Sequence, residues 1–215
     1  MGRGSSGSGA NLGNGGGGVN PNNIKEERDL VSQRERQREE VDDVLSVARD
    51  VMNDYGVDVG QFFISTLGGA DAFTAMAYSD GDNIGFNKNF FDANRMLKAY
   101  DECVKSGFHP NLGNKTAIQA VASHEYGHVL TQRAAEKLGI SGVNVMDQAA
   151  KTIVDRARAT TSHKGSVSMA KKISGYAGHS NAECIAEAVA DVYCNGRNAS
   201  AESRAVVRVL NDILK

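Results

Sequence analysis

This chain of 215 residues contains few cysteines, carries almost no net charge and has no long hydrophobic run. The three cysteines, Cys103, Cys184 and Cys194, are odd in number and lack paired metal-binding spacing, which predicts reduced, packed thiols rather than a disulfide framework. A formal net charge of −2 gives no basic surface that would indicate nucleic acid or an anionic membrane as a partner. No hydrophobic run approaches the roughly 20 residues of a transmembrane helix, and no charged-then-apolar signal peptide is present. We therefore expect a protein made in the cytoplasm that targets neither nucleic acid nor membrane.

Glycine, in contrast, is concentrated at the start of the chain. Residues 1–23 contain 9 of the 24 glycines, together with serine and asparagine, so they cannot bury a core and are predicted to be a disordered tail or linker. Residues 24–55 have the pattern of one long helix, and its first part, residues 24–40, is a dense mixture of glutamate and arginine that predicts a charged helical arm. Residues 41–215 are expected to form one folded domain, which is long enough for a substantial core.

The most informative motif is His-Glu-Tyr-Gly-His, in which His124 and His128 stand four residues apart. Four residues are about one turn of an α-helix and roughly 6 Å of rise, so both imidazoles leave the same face and can bind one metal ion. Glu125 can then act as the general base that takes a proton from a zinc-activated water during peptide hydrolysis. Residues 116–130 place apolar side chains at helical spacing around the motif, which predicts a buried helix.

A catalytic zinc ion uses a third protein ligand and leaves one position open. The extended motif with a third histidine shortly after the first two is absent, so the third ligand is expected from a second helix. Glu183, Glu187 and Asp191 follow one another at intervals of four residues on one face of such a helix, with aliphatic neighbours. Two alternatives remain open. Either Glu183 binds the metal and Glu187 braces the site from behind, or Glu187 binds it and Asp191 orients His124.

The motif, together with Tyr176 and the segment Tyr-Ala-Gly-His-Ser-Asn-Ala-Glu that ends at Glu183, resembles the catalytic domain of anthrax lethal factor and its relatives, including the Pro-Pro-specific endopeptidases. The resemblance covers residues 60–195 loosely and about 30 residues closely. It implies an α+β, zincin-like metallopeptidase, with a small twisted β-sheet over the active-site helix and a mainly helical C-terminal part. It also implies Zn²⁺ held by His124, His128 and Glu183, with Tyr176 facing the open metal position as a second catalytic residue beside Glu125.

Two shorter segments resemble a further group of proteins. Gly-Phe-His-Pro at residues 107–110 and Ser-Gly-Tyr at residues 174–176 also occur in metallopeptidase domains of phage minor head proteins and polymorphic toxins. This resemblance implies a phage-associated, toxin or effector protease, delivered or virion-associated after its synthesis. The alternative is a catalytically silent, zincin-shaped binding or structural module. Glu125 and Tyr176 argue against that alternative, because such a module needs neither a base nor an oxyanion donor.

Upstream of the motif the sequence predicts a small sheet. Residues 61–66 form one predicted strand, and residues 72–78 and 83–87 form a hairpin joined by Ser-Asp-Gly-Asp. The resemblance implies that a peptide substrate binds as an added strand, and Ile84 to Asn87 is the predicted edge. Residues 141–159 and 167–173 are predicted to be helical and to form a cap that shapes the cleft. His109 and His163 are predicted to be structural or solvated. His179 is predicted to be a loop histidine near the cleft rather than a ligand, with contact to substrate or metal as the alternative.

Overall fold

A computed structural model of the chain describes residues 21–69 and 75–215. The predicted tail therefore lies largely outside the described residues, as does the start of the first hairpin strand. The chain divides into two compact units, residues 1–35 and 36–215, and the second unit contains every candidate site residue. Within the described residues no helix is long and apolar enough to span a membrane.

Seven α-helices and three short strands make up the described part of the chain, so the predicted α+β class with a mainly helical C-terminal part is confirmed. The order of elements is α1 (Pro21–Tyr55), β1 (Phe62–Ser65), β2 (Ala77–Ser79), β3 (Ile84–Asn87), α2 (Ala93–Lys105), α3 (Ala117–Lys137), α4 (Val145–Ala159), α5 (Ser166–Ala170), α6 (Asn181–Asn195) and α7 (Ala201–Leu214). Short 3₁₀ turns at Tyr176–Gly178 and Gly196–Asn198 flank α6.

The three strands form one sheet in the order β1-β3-β2. The predicted hairpin is present, because β2 pairs antiparallel with β3 and places Tyr78 opposite Gly85. The prediction that Ile84 to Asn87 is the edge is wrong, because β1 pairs parallel with the other side of β3 and makes β3 the central strand. All four residues of β3 are buried. Among the described strands the edges are β1 and β2, and β2 is the edge that packs against α3.

Helix α3 begins at a capping box. The Thr116 hydroxyl accepts a hydrogen bond from the Gln119 N–H at 3.1 Å, and the Gln119 side chain accepts one from the Thr116 N–H at 3.1 Å. These bonds satisfy two backbone donors that the first turn leaves without partners. The helix then buries apolar side chains on several of its faces, which identifies it as the central helix; among them are Ile118, Val121, Tyr126, Val129 and Leu130. Full burial of one such side chain stabilises the fold by about 1.5–3 kcal/mol.

The second half of α1 packs on this core. Glu40 is only 4% exposed and accepts a hydrogen bond from the Ala93 N–H at the start of α2, with a distance of 2.6 Å. Asp43, one turn further, accepts a hydrogen bond from the Thr116 hydroxyl at 2.7 Å. Two acids of α1 therefore lie at the N-termini of other helices, where negative charge is favourable. Among the side chains of α1 that the structure describes, residues 34–39 are exposed and Glu40 is the first that is buried.

Helix α4 differs from the prediction made for its region. Residues 145–159 are helical as expected, but the helix packs against α3, α6 and α7 as part of the core. Its buried side chains are small or β-branched: Ala149, Ala150, Ile153, Val154 and Ala157. None of its residues is among the walls of the cavity described below. The predicted cap over a cleft is therefore a structural layer of the domain.

Candidate metal centre

The two histidines of the motif leave the same face of α3, one turn apart. Their ring centroids are 5.1 Å apart and the ring planes are nearly perpendicular, at 80°. The side chains are mostly buried, and the Nε2 atoms of His124 and His128 point toward the same carboxylate on α6. The helical spacing thus produces the convergence that the sequence predicts.

That carboxylate belongs to Glu183. Helix α6 begins at Ser180, whose hydroxyl accepts a hydrogen bond from the Glu183 N–H at 3.1 Å, and this cap fixes the turn that carries the side chain. The Oε2 atom lies 3.2 Å from Nε2 of His124 and 3.5 Å from Nε2 of His128. Each of the three residues offers one ligand atom, and these atoms all lie within 4.8 Å of one another.

The donor set fits a tetrahedral divalent cation. Ligand atoms about 2.0–2.2 Å from a tetrahedral ion are roughly 3.3–3.6 Å apart. The separations of 3.2 and 3.5 Å between Glu183 Oε2 and the two Nε2 atoms are close to that range. This oxygen is buried and has no hydrogen-bond partner in the described structure, although a buried carboxylate oxygen needs one. The carboxyl groups of Glu125, Glu183 and Glu187 also lie near His124 and interact with it electrostatically. A cation would satisfy both the oxygen and the negative charge of its carboxylate.

The pKa shifts of His124 and Glu183 also indicate that positive charge is favoured at this site. Burial lowers the pKa of His124, but the carboxylates of Glu183 and Glu187 outweigh burial and hold that pKa well above its usual range. Burial raises the pKa of Glu183, but the nearby His124 and His128 rings outweigh burial and leave the pKa far below its usual range. Without a metal, the raised pKa of His124 favours a proton on that ring, which supplies positive charge beside the carboxylates. A bound cation would replace that proton.

Glu187 lies one turn after Glu183 and is only 1% exposed. Its Oε1 is 2.9 Å from Nδ1 of His109, and its Oε2 accepts a hydrogen bond from the Ser174 hydroxyl at 2.7 Å. The same Oε1 lies 2.8 Å from Nδ1 of His124, at an angle too oblique for a regular hydrogen bond. Glu187 thus braces His124 on the side opposite Glu183. The geometry therefore agrees with the alternative in which Glu183 faces the Nε2 atoms of both histidines and Glu187 lies behind His124.

Asp191 does not occupy the position beside His124 that the second alternative assigns to it. Its Oδ2 accepts hydrogen bonds from the Ser200 N–H at 2.9 Å and the Ser203 hydroxyl at 2.6 Å, and its Oδ1 accepts one from the Asn195 amide at 2.9 Å. These partners lie at the end of α6 and the start of α7. Two turns of α-helix after Glu183, the side chain has moved about 12 Å along the axis and rotated about 80°. The predicted role at the metal is therefore corrected to a structural one.

Replacing Asp191 by alanine is expected to lower the free energy of unfolding by about 3 kcal/mol, because the buried Ser203 hydroxyl and the Ser200 N–H lose their acceptor. Metal binding should stay unchanged, since no atom of Asp191 reaches the histidines. Urea denaturation of the metal-free protein and a zinc titration measure the two quantities. Asp212→Ala, at an exposed position on α7, is the matched control. A loss of zinc in Asp191→Ala without loss of stability would contradict this assignment.

Next to the histidines lies a cavity of about 220 Å³. His124, Glu125 and Tyr176 line one part of it, and the other walls are mainly apolar, with contributions from Met76, Ala77, Phe108 and Val121. Glu125 is only 6% exposed, and burial raises the pKa of its carboxyl. The Tyr176 ring is stacked on His124, with centroids 5.8 Å apart and planes 18° apart. The structure therefore brings both predicted catalytic residues to the ligand pair.

Sequence reasoning missed His109. It was predicted to be structural, but it lines the cavity and contacts Glu187. Its loop is held against the tyrosine loop by backbone hydrogen bonds, from the Gly175 N–H to the Gly107 carbonyl at 2.8 Å and from the Tyr176 N–H to the Phe108 carbonyl at 3.0 Å. The two short segments that resemble phage and toxin metallopeptidases are therefore direct neighbours. That shared resemblance is the signal that could have pointed to His109.

The remaining two histidines lie outside the ligand set. His163 contacts Glu202 on α7 through an Nε2–Oε1 distance of 2.8 Å, which agrees with a structural role. His179 packs its ring against Phe108 and Tyr176, with centroids 5.7 and 5.2 Å apart. It belongs to the aromatic surroundings of the site.

Comparison with known proteins does not assign the chain to a family or give it a function. No protein-family model, curated protein or solved structure matches this chain. The interpretation of the site therefore depends on the motifs and on the geometry of the described residues.

Proposed function

We propose that the protein is a zinc-dependent metalloendopeptidase with a zincin-like fold. The observation that carries the proposal is the convergence of Glu183 Oε2 on the Nε2 atoms of His124 and His128, beside a cavity lined by Glu125 and Tyr176. Two imidazoles and one carboxylate are a common ligand set of catalytic zinc, which keeps a fourth position for water or substrate. A purely structural zinc site would normally use four protein ligands.

In the proposed reaction His124, His128 and Glu183 would hold Zn²⁺, which would supply Lewis-acid chemistry by lowering the pKa of water toward about 7 and polarising a carbonyl. The chain contributes the proton transfers. The Glu125 carboxylate accepts a proton from the attacking water and returns it to the amine that leaves. The Tyr176 hydroxyl, whose ordinary pKa is about 10, keeps its proton at neutral pH and donates a hydrogen bond to the oxygen on which negative charge develops.

A peptide substrate is proposed to bind as an added strand along β2. Met76, Tyr78 and Asp80 form the hydrogen-bonded pairs with β3, as the bonds from the Asn87 N–H to the Met76 carbonyl and from the Asp80 N–H to the Asn83 carbonyl indicate. In an antiparallel pair the residues between them point their backbone groups the other way. Ala77 and Ser79 therefore present N–H and C=O groups to the outer edge of β2, and Ala77 also lines the cavity. Such binding would guide the peptide backbone past the histidine pair.

The test is cleavage of a mixed peptide library by the zinc-loaded protein, read by mass spectrometry. Glu125→Gln is expected to lower kcat/KM by about 10²- to 10⁴-fold, because the general base is lost while the shape of the side chain is kept. Zinc content should not change in this variant. Glu136→Gln, at an exposed position on the same helix, should match the unmodified protein.

Equal activity of Glu125→Gln and the unmodified protein would contradict the proposed role of Glu125. Failure of the zinc-loaded protein to cleave any peptide would reject the peptidase proposal. The better interpretation would then be a catalytically silent binding or structural module that is associated with a phage head or with toxin delivery.

A further inference from the structure

His109 is held in a fixed orientation at the wall of the cavity. Its ring stacks on Tyr100, with centroids 5.2 Å apart and planes 12° apart, and meets Tyr176 edge to face at 5.4 Å. The side chain is only 10% exposed. Backbone hydrogen bonds from Gly175 and Tyr176 to the carbonyls of residues 107 and 108 fix the chain immediately before His109. Because these contacts hold the His109 ring in one orientation, the ring presents one defined edge to the cavity that it lines.

The contact with Glu187 determines which nitrogen carries the proton. An ionised carboxylate only accepts hydrogen bonds, so Nδ1 of His109 is the donor across the distance of 2.9 Å. In a neutral imidazole with its proton on Nδ1, the other nitrogen, Nε2, is an acceptor. Nε2 makes no hydrogen bond within the described part of the chain, and it is not among the buried atoms that lack a partner. It is therefore open to a donor that enters the cavity.

We propose that His109 is a substrate-contacting residue whose Nε2 accepts a hydrogen bond from a backbone N–H of the bound peptide. The inference rests on the peptidase function proposed above and adds a specificity rule to it. One substrate position near the cleaved bond must carry an N–H. Proline or an N-methylated residue at that position leaves Nε2 without a partner in a closed site, which costs binding free energy.

Two isosteric variants separate the cavity contact from the contact with Glu187. In His109→Asn the side-chain amide can still donate to Glu187, but no atom occupies the place of Nε2. In His109→Gln the amide group reaches the place of Nε2, and its oxygen can accept the substrate N–H. His163→Asn, at the distant pair with Glu202, is the matched histidine control. Alanine is avoided at position 109, because it would remove both contacts at once, whereas His109→Asn and His109→Gln each keep one of them.

The probe is the best-cleaved peptide of the mixed library, together with analogues that carry one N-methyl group at each position in turn. In the unmodified protein, one N-methyl position is expected to lower kcat/KM by about 10-fold through loss of the hydrogen bond. His109→Asn is expected to lose about 10-fold on the parent peptide and to be indifferent to that N-methyl group. His109→Gln should recover part of the activity on the parent peptide. Binding of the same peptides to the Glu125→Gln background, followed by calorimetry, gives a readout that does not require turnover.

The outcomes distinguish this inference from the proposed function. If the unmodified protein cleaves the parent peptide but His109→Asn keeps the full sensitivity to every N-methyl group, the contact at His109 is refuted and the peptidase function stands. If His109→Asn loses activity only together with thermal stability or zinc, the role of His109 is structural and the inference fails. If the unmodified protein neither binds nor cleaves any library peptide, both proposals are rejected.

Discussion

Replacing Glu183 by glutamine is expected to weaken zinc binding by more than about 100-fold, which exceeds the roughly 10- to 100-fold effect of residues that only support metal ligands. The amide is neutral, so the ion would lose the one anionic ligand of the set and keep two imidazoles. The buried Oε2 that faces both histidines is the atom whose replacement matters. Competition with a chromophoric chelator measures the affinity directly, without a substrate.

Glu187→Gln is the informative comparison for this experiment. Glu187 braces His124 from behind, so its loss should weaken zinc binding by about 10- to 100-fold, less than the loss of Glu183. Glu136→Gln, on an exposed part of α3, should have no effect. If zinc were lost only in the Glu187 variant, Glu187 would be the third ligand and the geometry described here would have to change on metal binding. If the unmodified protein bound no zinc at all, the peptidase proposal would fail.

Gly127→Ala is expected to destabilise the fold by about 1–3 kcal/mol and to weaken zinc binding at the same time. Gly127 lies between the two histidines, where α3 packs against α6 and an added Cβ would be 2.6 Å from the Cα of Ala186. Alanine favours a helix over glycine by about 1 kcal/mol, but backbone atoms at this distance must move apart, and overpacking of that kind outweighs the gain. Moving α6 away would carry Glu183 away from the histidines.

Thermal denaturation with and without zinc, combined with the chelator titration, measures both effects of Gly127→Ala. Gly178→Ala is the matched control, because its backbone is not in the left-handed region and its Cβ would meet only the flexible Lys171 side chain, 3.5 Å from Cγ and 3.9 Å from Cε. The control should keep both stability and zinc affinity. A Gly127→Ala protein with unchanged stability and unchanged zinc affinity would show that the contact between the helices can relax freely.

Local patterns in the sequence predict the helical parts of the site well. The spacing of His124 and His128 is a one-turn spacing, and the capping residue Thr116 marks the start of their helix, so helix and motif follow from neighbouring residues. The sequence pattern alone does not decide whether Glu183 or Glu187 is the third ligand, because acids at intervals of four residues all lie on one helical face. Only the resemblance favoured Glu183. The structure places Glu183 and Glu187 on opposite sides of His124, a distinction that depends on how α6 docks against α3.

The features that sequence reasoning missed depend on contacts between distant segments. The sheet edge was misassigned because the parallel pairing of β1 with β3 leaves no local signal in either strand. His109 was overlooked because its role depends on the pairing of its loop with residues 174–176, some 65 positions later in the chain. Asp191 was misplaced because a helix drifts out of register with a four-residue repeat, and two turns of drift bring its side chain to α7.

The distance in sequence between the proposed ligands also affects how the chain folds. His128 and Glu183 are about 55 residues apart, and the whole of α4 lies between them. An ion shared by both would bind the native chain and not the unfolded chain, so it would raise the free energy of unfolding by about 4 kcal/mol at a free-ion concentration 1,000 times its Kd. Capture of the ion requires α3 and α6 to be docked first, so metal loading would follow late in folding. Peptide-bond hydrolysis would then be confined to chains that have already reached the native state.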